Sequence, residues 1–215
     1  MKPKDAATLI IVRDNREVLL GVRSARHVFM PHKYVFPGGR VDAGDARVAC
    51  PVSLRQAVVS KLAANATPAR AKALAMTAVR ETFEETGLIL GHSVPTPLNS
   101  RSAGWQPFFA RGYVPALDRL DYVARAITPP NRVRRFDARF FLVDAGHMHG
   151  SLNGNGELDH LHWAPLKSAT DLDLSPITEL VLDLLKDRLA GNTANPDERV
   201  PLYRELYGKE LIEFH

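Results

Sequence analysis

The sequence contains very little cysteine, and its hydrophobic runs are short. Cys50 is the only cysteine among 215 residues, so no disulfide can form within the chain, and its neighbours do not have metal-ligand spacing. The start of the chain has only a four-residue apolar run, residues 9–12, which is too short for a signal peptide or a membrane span. These absences favour a protein of the reducing cytoplasm that does not enter a membrane.

The chain also lacks a strong charge of one sign. It has 28 basic and 24 acidic residues, a formal net charge of +4 and a pI near 9.3. This excess is too mild to predict nucleic-acid binding and favours a small anionic partner. With 45% hydrophobic residues, the length predicts one globular domain over residues 1–215.

Basic residues gather at two places along the chain. One group surrounds a glycine pair and includes Arg23 and Arg40, and the other includes Arg135. Each group is explained equally well by a solvated basic face and by contacts to a phosphate-rich small molecule. On the second hypothesis, Arg23, Arg40 and Arg135 are candidate substrate-binding residues.

The coarse pattern predicts a mixed α/β protein. ATLIIV and EVLLGVR, separated by the turn signal RDNR, predict a β-hairpin, and PFFARGY, ARFFLVDA and LDHLHWAPL predict further strands. Residues 175–189 predict an amphipathic closing helix. The alanine-rich residues 46–67 indicate an insertion with a short helix over residues 54–62.

One long helix is predicted over residues 68–86. Thr67 is a suitable N-cap, Pro68 suits the first helical position, and Gly87 suits the C-terminal stop. Ala71, Ala75 and other apolar residues cover a broad face of this helix. The helix therefore packs on one side and presents its acidic residues on the other.

The end of this helix carries three crowded carboxylates in the segment RETFEETG, residues 80–87. At 3.6 residues per turn, Glu84 lies about 60° to one side of Glu81, and Glu85 lies about 40° to the other. A solvated acidic surface is the ordinary explanation. However, the glycine loop before the helix can offer a backbone carbonyl, and hard divalent cations prefer carboxylate and carbonyl oxygens.

These segments resemble the Nudix hydrolases. The Nudix box runs Gly, five residues, Glu, seven residues, REUxEExGU, where U is a bulky aliphatic residue. Here Gly39 and Asp45 match the first half, and Arg80–Leu88 matches the second, with Thr82 at an aliphatic position. Asp45 replaces the usual glutamate, and 34 residues separate it from Arg80 instead of seven. The resemblance implies a Nudix α/β/α sandwich with a mixed sheet and a helical insertion inside the box, appended to the domain near the mouth of the active site.

Within this superfamily, the chain resembles the long-insert branch of CoA and acyl-CoA diphosphatases. Leu19, Leu20, Ser24, Phe36 and Asp42 match the CoA signature that precedes and enters the glycine loop. Val28 and His32 stand where that signature has arginine and glycine. The resemblance implies cleavage of CoA to 4′-phosphopantetheine and adenosine 3′,5′-bisphosphate.

The resemblance also implies roles for the box residues. Glu84, Glu85 and the Gly38 carbonyl are expected to bind Mg²⁺ or Mn²⁺, while Glu81 is a ligand or the base that activates water. Arg80 is expected to orient Glu81 and keep it ionised. Whether Asp45 or Glu157 also contacts the metal is left open.

Several alternatives remain at this point. The same reaction on ADP-ribose or a dinucleoside polyphosphate is the main rival, and a noncatalytic nucleotide sensor on the same fold comes from a different class. Trp105, Phe108 and Phe109 either stack a base or belong to the core. A homodimer is also left open.

Overall fold

The computed structural model describes residues 2–24, 31–191, 199–206 and 209–214. Its strands are β1 (Lys4–Arg13), β2 (Glu17–Arg23), β3 (Tyr34–Val35), β4 (Gly38–Arg40), β5 (Ile89–Ser93), β6 (Tyr113–Pro115), β7 (Asp121–Ile127), β8 (Phe136–Asp144), β9 (Met148–His149), β10 (Leu158–Pro165), β11 (Pro201–Leu206) and β12 (Lys209–Phe214). Its α-helices are α1 (Ala43–Arg47), α2 (Gln56–Ala63), α3 (Pro68–Thr86), α4 (Gln106–Phe109) and α5 (Pro176–Leu189).

The main sheet has the strand order β10-β2-β1-β8-β7-β11-β12, with β3 beside β2 and β4 beside β1. It is mixed, because β1 runs parallel to β8 and β7 runs parallel to β11, while the other pairs are antiparallel. Successive side chains of a strand point to opposite faces. In β1, Leu9 and Ile11 belong to the core that includes α3, and Ile10 and Val12 belong to the core that includes α5.

The sheet thus lies between helices, and the predicted mixed α/β class is confirmed. The hairpin predicted from RDNR is also present as β1 and β2. Asp14 and Asn15 make its turn with φ of 52° and 53°, in the left-handed region that these two residue types tolerate. A smaller sheet is formed by β5, β6 and β9.

The long helix α3 has the predicted bounds. The Thr67 hydroxyl accepts a hydrogen bond from the Arg70 N–H, Pro68 occupies the first turn, and Gly87 ends the helix with φ of 75°. These are the capping interactions that the sequence pattern indicated. They fix where α3 ends, and therefore where its glutamates lie.

Two expectations need correction. The insertion helix α2 is not appended to the domain, because Val58 and Leu62 are buried in the core beneath it. The segment PFFARGY is not one strand: α4 ends at Phe109, and β6 begins at Tyr113. No helix among the described residues is long and apolar enough to cross a membrane.

Candidate active site

The C-terminal turns of α3 lie against the glycine strand β4. β4 pairs with β1 through Thr8 opposite Gly38 and Ala7 opposite Gly39. A Cβ atom added at Gly39 would lie only 2.5 Å from Cδ of Glu81. Glycine at this position therefore allows the backbone of β4 to approach the Glu81 carboxylate directly.

Glu85 is the most deeply buried of the three glutamates, with 3% of its surface exposed. The Gly38 N–H donates a 2.8 Å hydrogen bond to Glu85 Oε2. A side chain at Gly38 would collide with the backbone of β1, since an added Cβ would lie 2.5 Å from the Ala7 carbonyl oxygen. The glycine pair thus contacts both carboxylates: Gly39 allows the backbone to approach Glu81, and Gly38 donates a backbone hydrogen bond to Glu85.

Arg80 connects the acidic residues of the site. Its side chain contacts Glu81 Oε1 and Glu84 Oε2, each at 2.9 Å, and donates a 3.2 Å bond to the Arg40 carbonyl. Its Nε and second terminal nitrogen donate to the two oxygens of Asp45 at 2.8 and 2.9 Å. Although burial alone would lower the pKa of Arg80, the bonds to Asp45 and the charges of Glu81 and Glu84 raise it, so the side chain stays charged.

Asp45, the residue that accepts two bonds from Arg80, is completely buried. Besides Arg80, it accepts hydrogen bonds from the Thr77 hydroxyl at 2.8 Å, the Trp105 indole N–H at 2.9 Å and the Asp42 N–H at 2.8 Å. Although burial alone would raise its pKa, the bonds from Arg80 and Asp42 lower it. With every donor supplied by the protein, Asp45 ties down the loop before the insertion.

The Asp45–Trp105 contact was not predicted from the sequence. The two residues lie 60 positions apart, and no local pattern links an indole N–H to a distant carboxylate. Trp105, Phe108 and Phe109 are at most 1% exposed and contact one another through their rings. Of the two alternatives for this aromatic group, the structure supports the core and not a base-stacking surface.

The glutamates are in an environment that disfavours negative charge. Burial, with repulsion from Glu84, raises the pKa of Glu81 to about 7 against the opposing attraction of Arg80. Burial and repulsion from Glu81 raise the pKa of Glu85 well above its ordinary range. The carboxylates outnumber the nearby positive groups, which is the electrostatic condition of a site that receives a cation.

The three arginines predicted to bind the substrate lie in different surroundings. Arg23 is half-buried and interacts electrostatically with Glu85, Glu157 and Glu81, so it belongs to this site. Arg40 contributes its carbonyl to Arg80, and its side chain is exposed. Arg135 donates from Nε to the Thr128 carbonyl at 3.0 Å, at the turn between β7 and β8.

The donor set suits a hard divalent ion by its chemistry. Glu81, Glu84, Glu85 and the Gly38 carbonyl offer oxygen atoms only, as Mg²⁺ and Mn²⁺ prefer. In the described part of the chain, no three His, Cys, Asp or Glu side chains are already spaced to hold a metal. The carboxylates of Glu81 and Glu84 are bonded to Arg80 instead.

Comparison with solved structures identifies the fold. A NUDIX hydrolase from Alicyclobacillus acidocaldarius matches with a TM-score of 0.65 and 29% identity, over 86% of this chain and 91% of that one. The chain is a Nudix-type hydrolase. No family model matches the sequence, and no curated protein matches it.

Two more distant structures share the fold. A MutT protein from Bacillus halodurans matches with a TM-score of 0.51 and 13% identity, over 98% of this chain and 97% of that one. The NUDIX domain of Shewanella oneidensis NrtR, solved with ADP ribose, matches with a TM-score of 0.51 and 11% identity, over 88% and 90%. The Nudix α/β/α sandwich is thus retained here although α2 lies inside the box.

Proposed function

We propose that this Nudix-type hydrolase is a Mg²⁺- or Mn²⁺-dependent pyrophosphohydrolase that cleaves the diphosphate of CoA or acyl-CoA. The observation that carries the proposal is the arrangement of Glu81, Glu84 and Glu85 around Arg80 and the glycine strand. It brings several carboxylate oxygens, which a divalent ion prefers as ligands, together around the guanidinium of Arg80. We also propose that the enzyme is cytoplasmic, which agrees with its single cysteine.

The proposed mechanism assigns a task to each residue. The ion would be held by Glu84, Glu85 and the Gly38 carbonyl. Glu81 would be either a further ligand or the base. When bound, the ion neutralises phosphate oxygens and polarises the phosphorus. As the base, Glu81 takes the proton of the attacking water, whose oxygen bonds to phosphorus while the bond to the bridging oxygen breaks. Arg80 keeps Glu81 oriented through its 2.9 Å contact.

The preference for CoA rests on the long insertion and on the partial CoA signature. His32, which stands where that signature has glycine, has φ of 63°, in the left-handed region that glycine adopts readily. The backbone at this position therefore has a glycine-like conformation despite the substitution. Val28 lies outside the described residues. Arg23, Arg40 and Arg135 are proposed to contact the phosphates of the substrate.

ADP-ribose or a dinucleoside polyphosphate is the second candidate substrate. It is favoured by Val28 and His32, which replace two residues of the CoA signature. The solved NrtR domain, which shares the fold, was crystallised with ADP ribose. A noncatalytic nucleotide sensor is a third candidate, of a different class.

The experiment that tests the proposal is chromatographic product analysis with Mg²⁺ or Mn²⁺, using CoA, an acyl-CoA, ADP-ribose and a dinucleoside polyphosphate. We expect adenosine 3′,5′-bisphosphate from CoA, and a kcat at least about 100-fold lower in Glu85→Gln, because one buried oxygen donor loses its charge. Glu179→Gln, in the first turn of α5, is the matched control and should keep full activity.

The outcomes separate the candidates. Unchanged turnover in Glu85→Gln would contradict the site assignment. If ADP-ribose or the dinucleoside polyphosphate is cleaved and CoA is not, the proposed reaction is supported but the proposed substrate is wrong. If wild type binds these compounds but cleaves none of them, the sensor becomes the better explanation.

A further inference from the structure

Glu84 and Glu85 face different surroundings on either side of Glu81. Adjacent helical residues are separated by about 100° around the axis, so the two side chains leave the helix in different directions, one on each side of Glu81. Glu85 faces the buried side, beside Gly38 and Arg23. Glu84 lines a cavity of about 370 Å³.

This cavity, which we call the Glu84 cavity, lies between α4 and the loop that follows β9. Apolar groups form part of its wall, and backbone and side-chain amides of the loop form another part; the residues are Phe83, Ile89, Pro107, Ser151, Asn153 and Asn155. The loop is fixed at the end of α3 by a 2.8 Å bond from the Asn153 N–H to the Thr86 carbonyl. The cavity is therefore a formed part of the site, with a volume at the lower end of the usual ligand range.

The charges around the Glu84 cavity disfavour a second anionic group. Glu84 is acidic, and the C-terminal end of α3 adds partial negative charge. Arg111 is the one basic residue in the lining, and in the described part of the chain its side chain has no hydrogen-bond or salt-bridge partner. A guanidinium donates hydrogen bonds to carbonyl oxygens as well as to phosphates.

The opposite side of the site has two arginine side chains. Arg23 lies there beside Glu85 and Glu157, and the exposed side chain of Arg40 follows the glycine pair. A substrate whose diphosphate crosses the three glutamates must send one half to each side. The half with an additional phosphate is attracted to the Arg23 side, and an uncharged half suits the Glu84 cavity.

We propose that the Glu84 cavity holds the uncharged, amide-bearing arm of a CoA-type substrate, and that Arg111 donates hydrogen bonds to a carbonyl of that arm. The phosphorylated nucleoside then occupies the Arg23 side. This inference rests on the proposed function and adds the orientation of the substrate to it. Arg111 is a specificity-determining residue in this arrangement, because it contacts the arm and not the reacting phosphorus.

Isothermal titration calorimetry with the two halves of CoA tests the orientation. With Mg²⁺ present, 4′-phosphopantetheine and adenosine 3′,5′-bisphosphate are titrated separately into wild type, Ser151→Trp and Leu152→Trp. Ser151 lines the cavity, whereas its exposed neighbour Leu152 does not, so the second variant is a matched control. We expect Ser151→Trp to weaken 4′-phosphopantetheine binding at least about tenfold and to leave adenosine 3′,5′-bisphosphate binding unchanged.

A second series tests Arg111. Arg111→Ala should raise the KM for CoA about tenfold with little change in kcat, because the lost hydrogen bond contributes equally to ground-state and transition-state binding. Arg111→Lys should restore part of the loss, and Arg16→Ala, in the β1–β2 turn, should have no effect. A fall in kcat without a change in KM would contradict this role.

The result can be separated from a failure of the proposed function. If wild type cleaves none of the diphosphates, the proposed function is wrong. If wild type cleaves CoA but does not bind 4′-phosphopantetheine, or binds it as tightly as Ser151→Trp does, only the inference about the cavity is overturned. Loss of adenosine 3′,5′-bisphosphate binding in Ser151→Trp would reverse the orientation.

Discussion

At the scale of single residues, Asp45 determines how Arg80 is presented to the glutamates. Its carboxylate accepts two bonds from Arg80 and one each from Thr77, Trp105 and Asp42. Arg80 would keep its contacts with Glu81 and Glu84, but it would lose the one completely buried carboxylate among its partners, and removing one partner of a buried ion pair is strongly destabilising. We therefore expect Asp45→Asn to lower the free energy of unfolding by about 3–5 kcal/mol, as measured by urea denaturation.

The matched control for this change is Asp14→Asn, in the exposed β1–β2 turn. Asparagine tolerates the left-handed conformation of that turn, so its stability should stay close to that of wild type. A similarly small effect of Asp45→Asn would show that Arg80 is held by its other partners. Trp105→Phe, which removes one donor to Asp45, should be milder than Asp45→Asn, at about 1.5–3 kcal/mol.

At the scale of elements, the contact between β4 and α3 depends on the missing side chain at Gly39. A methyl group there would lie within 2.6 Å of all three carboxyl atoms of Glu81. We expect Gly39→Ala to displace this carboxylate and reduce kcat about 10- to 100-fold, since misplacement by about 1 Å has effects of this size. Steady-state kinetics on the preferred diphosphate measure the effect.

Gly146→Ala is the comparison for Gly39→Ala. Its added methyl group would meet only the end of the Asp144 side chain, which can move. Activity of Gly146→Ala should stay near the wild-type value. Equal activity of both variants would mean that Glu81 adjusts without cost, and the close approach of β4 would then have no part in catalysis.

Elements with local signals could be predicted from the sequence. Thr67, Pro68 and Gly87 mark both ends of α3, and the structure has the same bounds. The prediction of one strand for the segment PFFARGY is wrong, because its two phenylalanines belong to the helix α4. Phe108 and Phe109 follow Trp105 at spacings of three and four, which is the periodicity of a buried helical turn.

Contacts between distant segments could not be predicted in this way. The glutamates and glycines predicted a site, but the orientation of Arg80 depends on Asp45, in α1, and on Trp105, directly before α4. Likewise, the pattern placed α2 in an insertion without showing which surface it covers. Such contacts depend on how the sheet and α3 pack, and packing leaves no short-range sequence signal.

At the scale of the whole molecule, a buried group of charges joins β1, β7, β8 and α3. Asp137 accepts bonds from Arg125 at 2.8 and 2.9 Å and contacts Arg139 at 2.8 Å and Arg70 at 3.3 Å, while Arg70 also pairs with Asp5. The group fastens the start of α3 to three strands.

This group should make stability sensitive to acid. Against the effect of burial, the three arginines lower the pKa of Asp137 below its ordinary value, so the unfolded chain takes up the proton first. The stabilisation from Asp137 is therefore complete above the ordinary aspartate pKa of about 4 and is lost as pH falls through the lower folded value. Asp137→Asn lacks this titration.

We therefore expect Asp137→Asn to be less stable than wild type by about 3 kcal/mol at pH 7, since it leaves the buried Arg139 and the partly exposed Arg125 and Arg70 short of one carboxylate. Urea denaturation between pH 7 and pH 3 should show a constant gap down to about pH 5 and a narrowing gap below about pH 4. Asp183→Asn, in an exposed pair with Lys186, should follow wild type throughout. A gap that stays constant to pH 3 would mean that Asp137 is not the acid-sensitive member, and would direct attention to Asp45, whose pKa is also lowered.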